Sequence, residues 1–475
     1  MFDVFRGDRD FAPSLALRAC DFFRPRLATW GVGRYKGGMK HTTRPTDAAG
    51  VPVRVKRPER RQVQWRDASL DELIPADHRV RTVWAYVESL DVAPLYAKIQ
   101  AVEGGPGRDA VDPRILLALW MFATIEGVSS ARHLERLAER DVAYRWICGD
   151  VGVNHHLLSD FLTAHGAFLE QLLTDSIAAL LHQNLVTLDT VAQDGMRVRA
   201  HAGSDSFRRK KTLLERRAEA ATQVQLLREE RERAGETDAS EARRRAAAER
   251  AARELTSRID AALKNRDELQ EQKEARKKGS GEEARASTTD PEARSMKMGD
   301  GGFRPAFNVQ FVTDADQRLI VALDVTNNGS DGGQMAPLHQ KVRERYQKTP
   351  THYVVDGGFA TIEDITKVEQ AGSQVIAPML YEERIRQRGG DPHARRSNDT
   401  DEMFTFRQRM ATEEAKAILR RRPSIAEFPN AVCRNHGLHQ FRVRGLAKVR
   451  AVALWHAITF NFLRMLHLGI VPKPT

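Results

Sequence analysis

Two aspartates stand directly before glycine where β-rich runs end. Asp194-Gly195 follows Val186 to Gln193 and precedes a second β-rich stretch, Met196 to Val198, while Asp356-Gly357-Gly358 follows His352 to Val355. Each reads as a carboxylate at a strand end or turn, with small neighbours that leave room for a ligand. A third carboxylate, Glu427, lies in Ser424-Ile-Ala-Glu-Phe-Pro-Asn430, beside a helical run. Two strand carboxylates and one near a helix can converge on a single point. Hard oxygen ligands of this kind suit Mg²⁺ or Mn²⁺, and two such ions about 3.5–4 Å apart can activate an attacking oxygen and stabilise a leaving one in phosphoryl transfer. The chain carries 64 acidic residues, so the pattern alone does not separate these three from turn formers or surface charges.

The elements that must position them fall into blocks. Up to about Gly38 the sequence mixes Arg, Gly and Pro without periodicity, which predicts a disordered basic arm over residues 1–58. The competing reading is a dispensable extension ahead of Met39. From Gln62 to about Gln183 the spacing is helical: Val80, Val83, Trp84, Val87 and Leu90 share one face. Asp112-Pro113 supplies a cap and first-turn proline for a second helix through Ala123. A third carries Leu134 and Leu137, and a fourth, after Asn154, carries Leu158, Phe161, Leu162 and Leu169. Short helices joined by Gly and Ser turns can form a helix-turn-helix, although many all-helical domains have the same pattern without touching DNA. His155 and His156 have no partner at ligand spacing and read as surface or capping residues.

Between Arg208 and Lys278 the composition shifts to Ala, Glu, Arg and Lys, with Leu255, Ile259, Ala262 and Leu269 near heptad spacing and a break at Ala234 to Asp238. This predicts a long helical hairpin with solvated charges. A β-hairpin is expected over Ala306 to Thr326, then a helix from Gln334 to Tyr346, a buried strand ending at Asp356, a helix from Ile362 to Gln370 and a strand from Gln374 to Pro378. A helix from Glu413 to Arg422 and an apolar helix from Lys448 to Leu468 close the chain. Strands alternating with helices after a hairpin suggest a mixed sheet covered by helices.

The net charge of +11 points to an acidic partner, and nucleic acid is the commonest. Cys20, Cys148 and Cys433 show no pairing or zinc spacing, there is no signal-peptide pattern, and no run of about 18 apolar residues marks a membrane span. A cytoplasmic protein is therefore expected.

Several segments in order carry a family resemblance. Before the first aspartate they are His78-Arg79, Val83-Trp84, Asp112-Pro113-Arg114, Leu117 to Trp120, Tyr144-Arg145-Trp146 and Ser159-Asp160-Phe161. After it come Val198-Arg199-Ala200, Phe207 to Lys211, Asp290 to Arg294, Met296-Lys297, Asn308-Val309-Gln310, Val355 to Phe359, Arg434-Asn435 and Arg444 to Lys448. From about Gln62 to Leu468 the chain resembles bacterial insertion-sequence transposases of the DDE type.

The resemblance implies a helical DNA-binding domain over residues 59–183. A ribonuclease H-like α/β catalytic domain would follow over 184–470, its mixed sheet interrupted by a helical insertion at about 208–280. It implies Asp194, Asp356 and Glu427 as catalytic metal ligands for Mg²⁺, with Mn²⁺ able to substitute. Double-stranded DNA would be the partner, both as the element's inverted repeats and as target, and the DNA-bound form would be a homodimer. Strand cleavage and joining of the 3′ hydroxyl would follow, without ATP. Arg422, in the run Arg420-Arg421-Arg422, is a candidate phosphate contact because guanidinium matches phosphate in bidentate fashion, and Arg434 and Lys448 are candidate DNA contacts. The family places a Tyr before that Arg; Leu419 stands there instead. Rival readings are a catalytically decayed DNA-binding protein and a metal-dependent nuclease that cuts without joining.

Overall fold

The computed structural model describes residues 68–102, 108–233 and 239–470, so the arm expected over residues 1–58 lies outside it. The described chain opens with seven helices: α1 (Arg79–Ser89), α2 (Ala93–Tyr96), α3 (Pro113–Ile125), α4 (Ala131–Arg140), α5 (Val142–Cys148), α6 (His155–Ala164) and α7 (Gly166–His182). The expected capping is present. Asp112 accepts from the Arg114 amide ahead of α3, and Asn154 accepts from the Leu157 amide ahead of α6. Helix α5 is additional to the sequence expectation; it begins where Asp141 accepts from the amides of Ala143 and Tyr144 and stops at Gly149, whose φ of 54° ends it in the left-handed region. The expected fourth helix is in fact two, because His165 leaves helical geometry and Gly166 starts α7, which carries Leu169. Nearly every residue of α3 is buried, as an all-round apolar helix must be.

The sheet is built from β1 (Thr190–Arg199), β4 (Arg294–Lys297), β5 (Phe303–Asp314), β6 (Ile320–Thr326), β7 (His352–Val354) and β8 (Gln374–Ile376), with the short β2 (Phe207–Arg208) and β3 (Ala286–Ser287) pairing separately. Its order is β6-β5-β1-β7-β8, and β4 extends the edge of β5 beside β6. β1, β5 and β6 are antiparallel, whereas β7 and β8 are parallel to β1. This is the expected ribonuclease H-like mixed sheet. Helices α10 (Met335–Tyr346) and α11 (Ile362–Gln370) share one apolar core with β7 and β8. On the other side Phe307, Val309 and Phe311 pack with Trp455 and Phe462 of the long α16 (Leu446–His467), and the same continuous core includes Val83, Leu119 and Leu158 of the N-terminal helices.

The insertion is the antiparallel pair α8 (Lys210–Arg233) and α9 (Ala239–Arg276), with a small core of its own around Leu213, Ala220, Ile259 and Ala262. Of the near-heptad positions, Ile259 and Ala262 are buried, but Leu255 is 38% exposed. The polar stretch after Tyr381 contains α12 (Glu382–Gln387) and leads into α13 (Asp401–Ala411), α14 (Glu413–Arg422) and α15 (Phe428–Asn435).

One expectation is corrected at the first aspartate. Asp194 does not sit at a strand end or turn: β1 runs unbroken from Thr190 to Arg199, with Asp194 opposite Phe311 and Gly195 opposite Gln310. Gly195 imitates a turn signal but serves a close approach, since a β-carbon there would lie 2.5 Å from both Asp331 Oδ1 and Gln310 Nε2.

Candidate active site

Side chains alternate across β1, so Asp194 faces the layer of α14 and α15 while Gln193 and Gly195 face away from it. Asp356 lies two residues beyond β7, the parallel neighbour of β1, and its Oδ1 accepts from the Gly358 amide at 2.7 Å. Glu427 comes from a different kind of element. Between α14 and α15 the helix widens into a π turn, Pro423–Glu427. Pro423 has no N–H to continue the α-helical ladder, and the i→i+5 repeat of a π turn brings residues five apart, Arg422 and Glu427, to the same side.

All three carboxylates meet on Arg422. Its Nη2 lies 3.3 Å from Asp194 Oδ1 and 3.7 Å from Asp356 Oδ2, and its Nη1 lies 3.5 Å from Glu427 Oε1. The site is graded from floor to rim: the Asp194 side chain is 14% exposed, that of Asp356 39% and that of Glu427 59%. Burial pushes the Asp194 carboxyl up to about 6, Arg422 opposes that shift, and the neighbouring Asp356 and Glu427 add to it.

Sequence reasoning did not anticipate two features. Asn430 donates from Nδ2 to Asp194 Oδ2 at 2.9 Å, leaving its buried Oδ1 without a partner. It follows Glu427 by three residues, a spacing that shares a helix face, and this is the one signal that marks it. Arg422 also turns inward, whereas Arg420 and Arg421 remain exposed on the same helix end. Arg434 on α15 and Lys448 in the first turn of α16 are exposed, and among the described residues neither pairs with the three carboxylates. Leu419, three residues before Arg422, is half-buried against the core of β7 and β8 and brings no hydroxyl to the site. His155, away from the site, pairs with Glu135 through Nδ1 at 2.9 Å.

The donor set is uniformly hard oxygen and suits a divalent cation of the Mg²⁺ class. Among the described residues no three His, Cys, Asp or Glu side chains are already gathered at ligand spacing. A cation nevertheless occupies their meeting point: the Arg422 guanidinium stands where positive charge between the carboxylates is required.

Two family models match the chain. Residues 68–164 match the model described as a transposase domain (DUF772), and residues 274–462 match the transposase DDE domain. The chain belongs to the insertion-sequence transposases of the DDE type. Asp356 and Glu427 fall inside the second matched segment of this transposase, and Asp194 lies in the stretch between the two. No curated protein and no solved structure matches it. As a DDE transposase it acts on DNA, and members of the family typically use divalent metal ions. No described helix is long and apolar enough to cross a membrane.

Proposed function

We propose that this transposase binds the ends of its own insertion sequence, hydrolyses a strand there and joins the freed 3′ hydroxyl to target DNA, with Asp194, Asp356 and Glu427 as its metal-holding carboxylates. The convergence of these three on one cationic side chain carries the reading. Mg²⁺, or Mn²⁺ in its place, would offset charge on the scissile phosphate and lower the pKa of the attacking water. Asp194 forms the buried floor and Asn430 fixes its orientation. Asp356 and Glu427 stand on the open rim, where a DNA backbone has access. Arg422, freed from the carboxylates, is within reach of the same phosphate, and a planar guanidinium suits that contact. Arg434 and Lys448 extend the positive surface along α15 and α16.

The domain assignment belongs to the same proposal: residues 59–183 as the DNA-binding part, 184–470 as the catalytic part with its helical insertion, and a homodimer holding two ends together. Exchange of one phosphodiester bond for another needs no ATP. The test places the element's ends around a marker on a donor plasmid and scores excision and integration with the wild type and with Asp356→Asn, alongside end binding by gel shift. Excision and integration by the wild type alone, with end binding retained in both, is the expected result. Movement by both proteins rejects the site; cutting without integration makes the protein a nuclease; end binding without movement by either identifies a decayed DNA-binding copy.

A further inference from the structure

The glycines that follow the two aspartates open onto one and the same carboxylate. A β-carbon at Gly195 would lie 2.5 Å from Asp331 Oδ1, and one at Gly358 would lie 3.0 Å from Asp356 Oδ1 and 3.8 Å from Asp331 Oδ2. Asp331 sits in the loop between β6 and α10, and its side chain is 15% exposed. Its Oδ1 accepts from Asn308 Nδ2 at 2.7 Å and from Gln310 Nε2 at 2.9 Å, and its Oδ2 accepts from Arg197 Nη2 at 3.4 Å. Gln310 is held in turn by Gln193 Nε2 at 3.1 Å, and the Tyr353 hydroxyl donates to Gln193 Oε1 at 2.8 Å. The loop itself is tied to the segment after Gly358, because Asp364 accepts from the amides of Gly333 and Ala336 and from Thr361 Oγ1.

We propose that Asp331 is a positioning residue for the carboxylate site: it fills the space that Gly195 leaves in β1, stands against the turn at Gly358, and so sets the spacing between Asp194 and Asp356. This rests on the reading of those two aspartates as metal ligands. Asp331 acts from the face of β1 opposite the Asp194 side chain, bonding to Arg197 of β1 and to Asn308 and Gln310 of β5, while Asp364 ties its loop to the segment after β7. The three side-chain donors to Asp331 require a group that only accepts. An amide of the same shape would turn its own N–H groups against Arg197 or against the Asn308 and Gln310 pair. Outer residues that orient metal ligands typically change metal affinity or activity by about 10–100-fold when altered.

The experiment measures Mn²⁺ binding to the full-length protein by calorimetry, together with Tm, end binding and strand cleavage. Asp331→Asn removes the charge without changing shape; Gly195→Ala displaces the carboxylate without discharging it. Both are expected to weaken Mn²⁺ binding about tenfold or more and to raise the Mn²⁺ concentration for half-maximal cleavage in parallel, with a lowered Tm but a folded protein that still binds the ends at the assay temperature. A shift in Asp331→Asn alone still supports the role. Wild-type Mn²⁺ affinity in Asp331→Asn overturns it, and so does loss of folding in both variants, which would make Asp331 a determinant of the fold alone. If Asp331→Asn alone fails to fold, Gly195→Ala decides. Asp356→Asn is the control: if it too retains wild-type Mn²⁺ affinity, the failure lies in the site reading rather than in Asp331.

Discussion

Helices α1 to α7 bury their apolar faces in the same core as the sheet, whereas the hairpin of α8 and α9 buries little beyond Leu213, Ala220, Ile259 and Ala262. Trp120 of α3 is 1% exposed and donates from its indole to the Leu158 carbonyl at 3.0 Å; Trp455 of α16 does the same to Leu162. The hairpin relies instead on ion pairs across its two arms: Arg231 reaches the buried Glu249 at 2.8 Å, while Arg217 with Asp260 at 2.5 Å and Lys210 with Asp267 at 3.3 Å are about half exposed. Exposed pairs of this kind contribute at most about 1 kcal/mol each. Helical content is therefore a poor guide to mechanical role. The N-terminal helices share the core of the sheet, and the insertion is an arm with a small core of its own that meets the body at its root, through Ala286 and through the Arg294 bond to the Asn265 carbonyl.

Three measurements would break or sharpen that contrast. The largest effect is expected for Trp120→Ala, which removes a buried ring together with its indole bond to the Leu158 carbonyl. A loss of about 3–5 kcal/mol should lower the midpoint of a single unfolding transition reported by helix and sheet signals alike. Separate transitions for helices and sheet would refute a shared core.

Next comes acid. His339 on α10 is 2% exposed and bonded to Ser373 Oγ at 2.7 Å, and burial, helped by Arg343, pulls its pKa down to about 4. The unfolded chain then takes up a proton that the folded chain refuses between the ordinary value of 6.5 and about 4, so stability is lost as pH falls through that window, by up to roughly 3 kcal/mol. His339→Gln should lose less stability than wild type between pH 6.5 and 4.5. The hairpin from 208 to 278 has no histidine, and its hydrogen exchange should not share this dependence.

The smallest effect is expected from Ile259→Ala, about 2 kcal/mol, at the low end for a buried isoleucine because the hairpin core is so small. It should speed exchange within 210–276 and leave the main transition in place. A matching drop in the main transition would show that the arm is coupled to the sheet after all.

Much of this was legible in the sequence where local chemistry decides the outcome. The Asp112-Pro113 start of α3, helix Ile362–Gln370 and the strand before Asp356 follow from capping, periodicity and β-branched runs. Gly195 misled because glycine marks both turns and close approaches, and only the opposing side chains of Gln310 and Asp331 distinguish the two. The short α5 and α15 offer too few residues for a periodic signal. Asn430 and Asp331 were hidden for another reason. A polar residue acquires its role from partners far away in sequence, and nothing near Asp331 indicates that Gly195 and Gly358 will close around it. The inward turn of Arg422 is likewise set by the widened helix, which no composition or spacing rule anticipates.

The strap at the foot of the insertion has a further consequence. Phe207 pairs with Ser287 and Arg208 with Ala286, so the chain leaves the body and returns to it at hydrogen-bonded neighbours. Everything between is a detour that starts and finishes at one doorway. Such a junction sets where length can change: residues toward the tip of the arm can be shortened or lengthened at little cost, whereas its root, where Arg294 of β4 donates to the Asn265 carbonyl and Ala286 packs with Ile259 and Ala262, has to be kept for the two door-posts to meet.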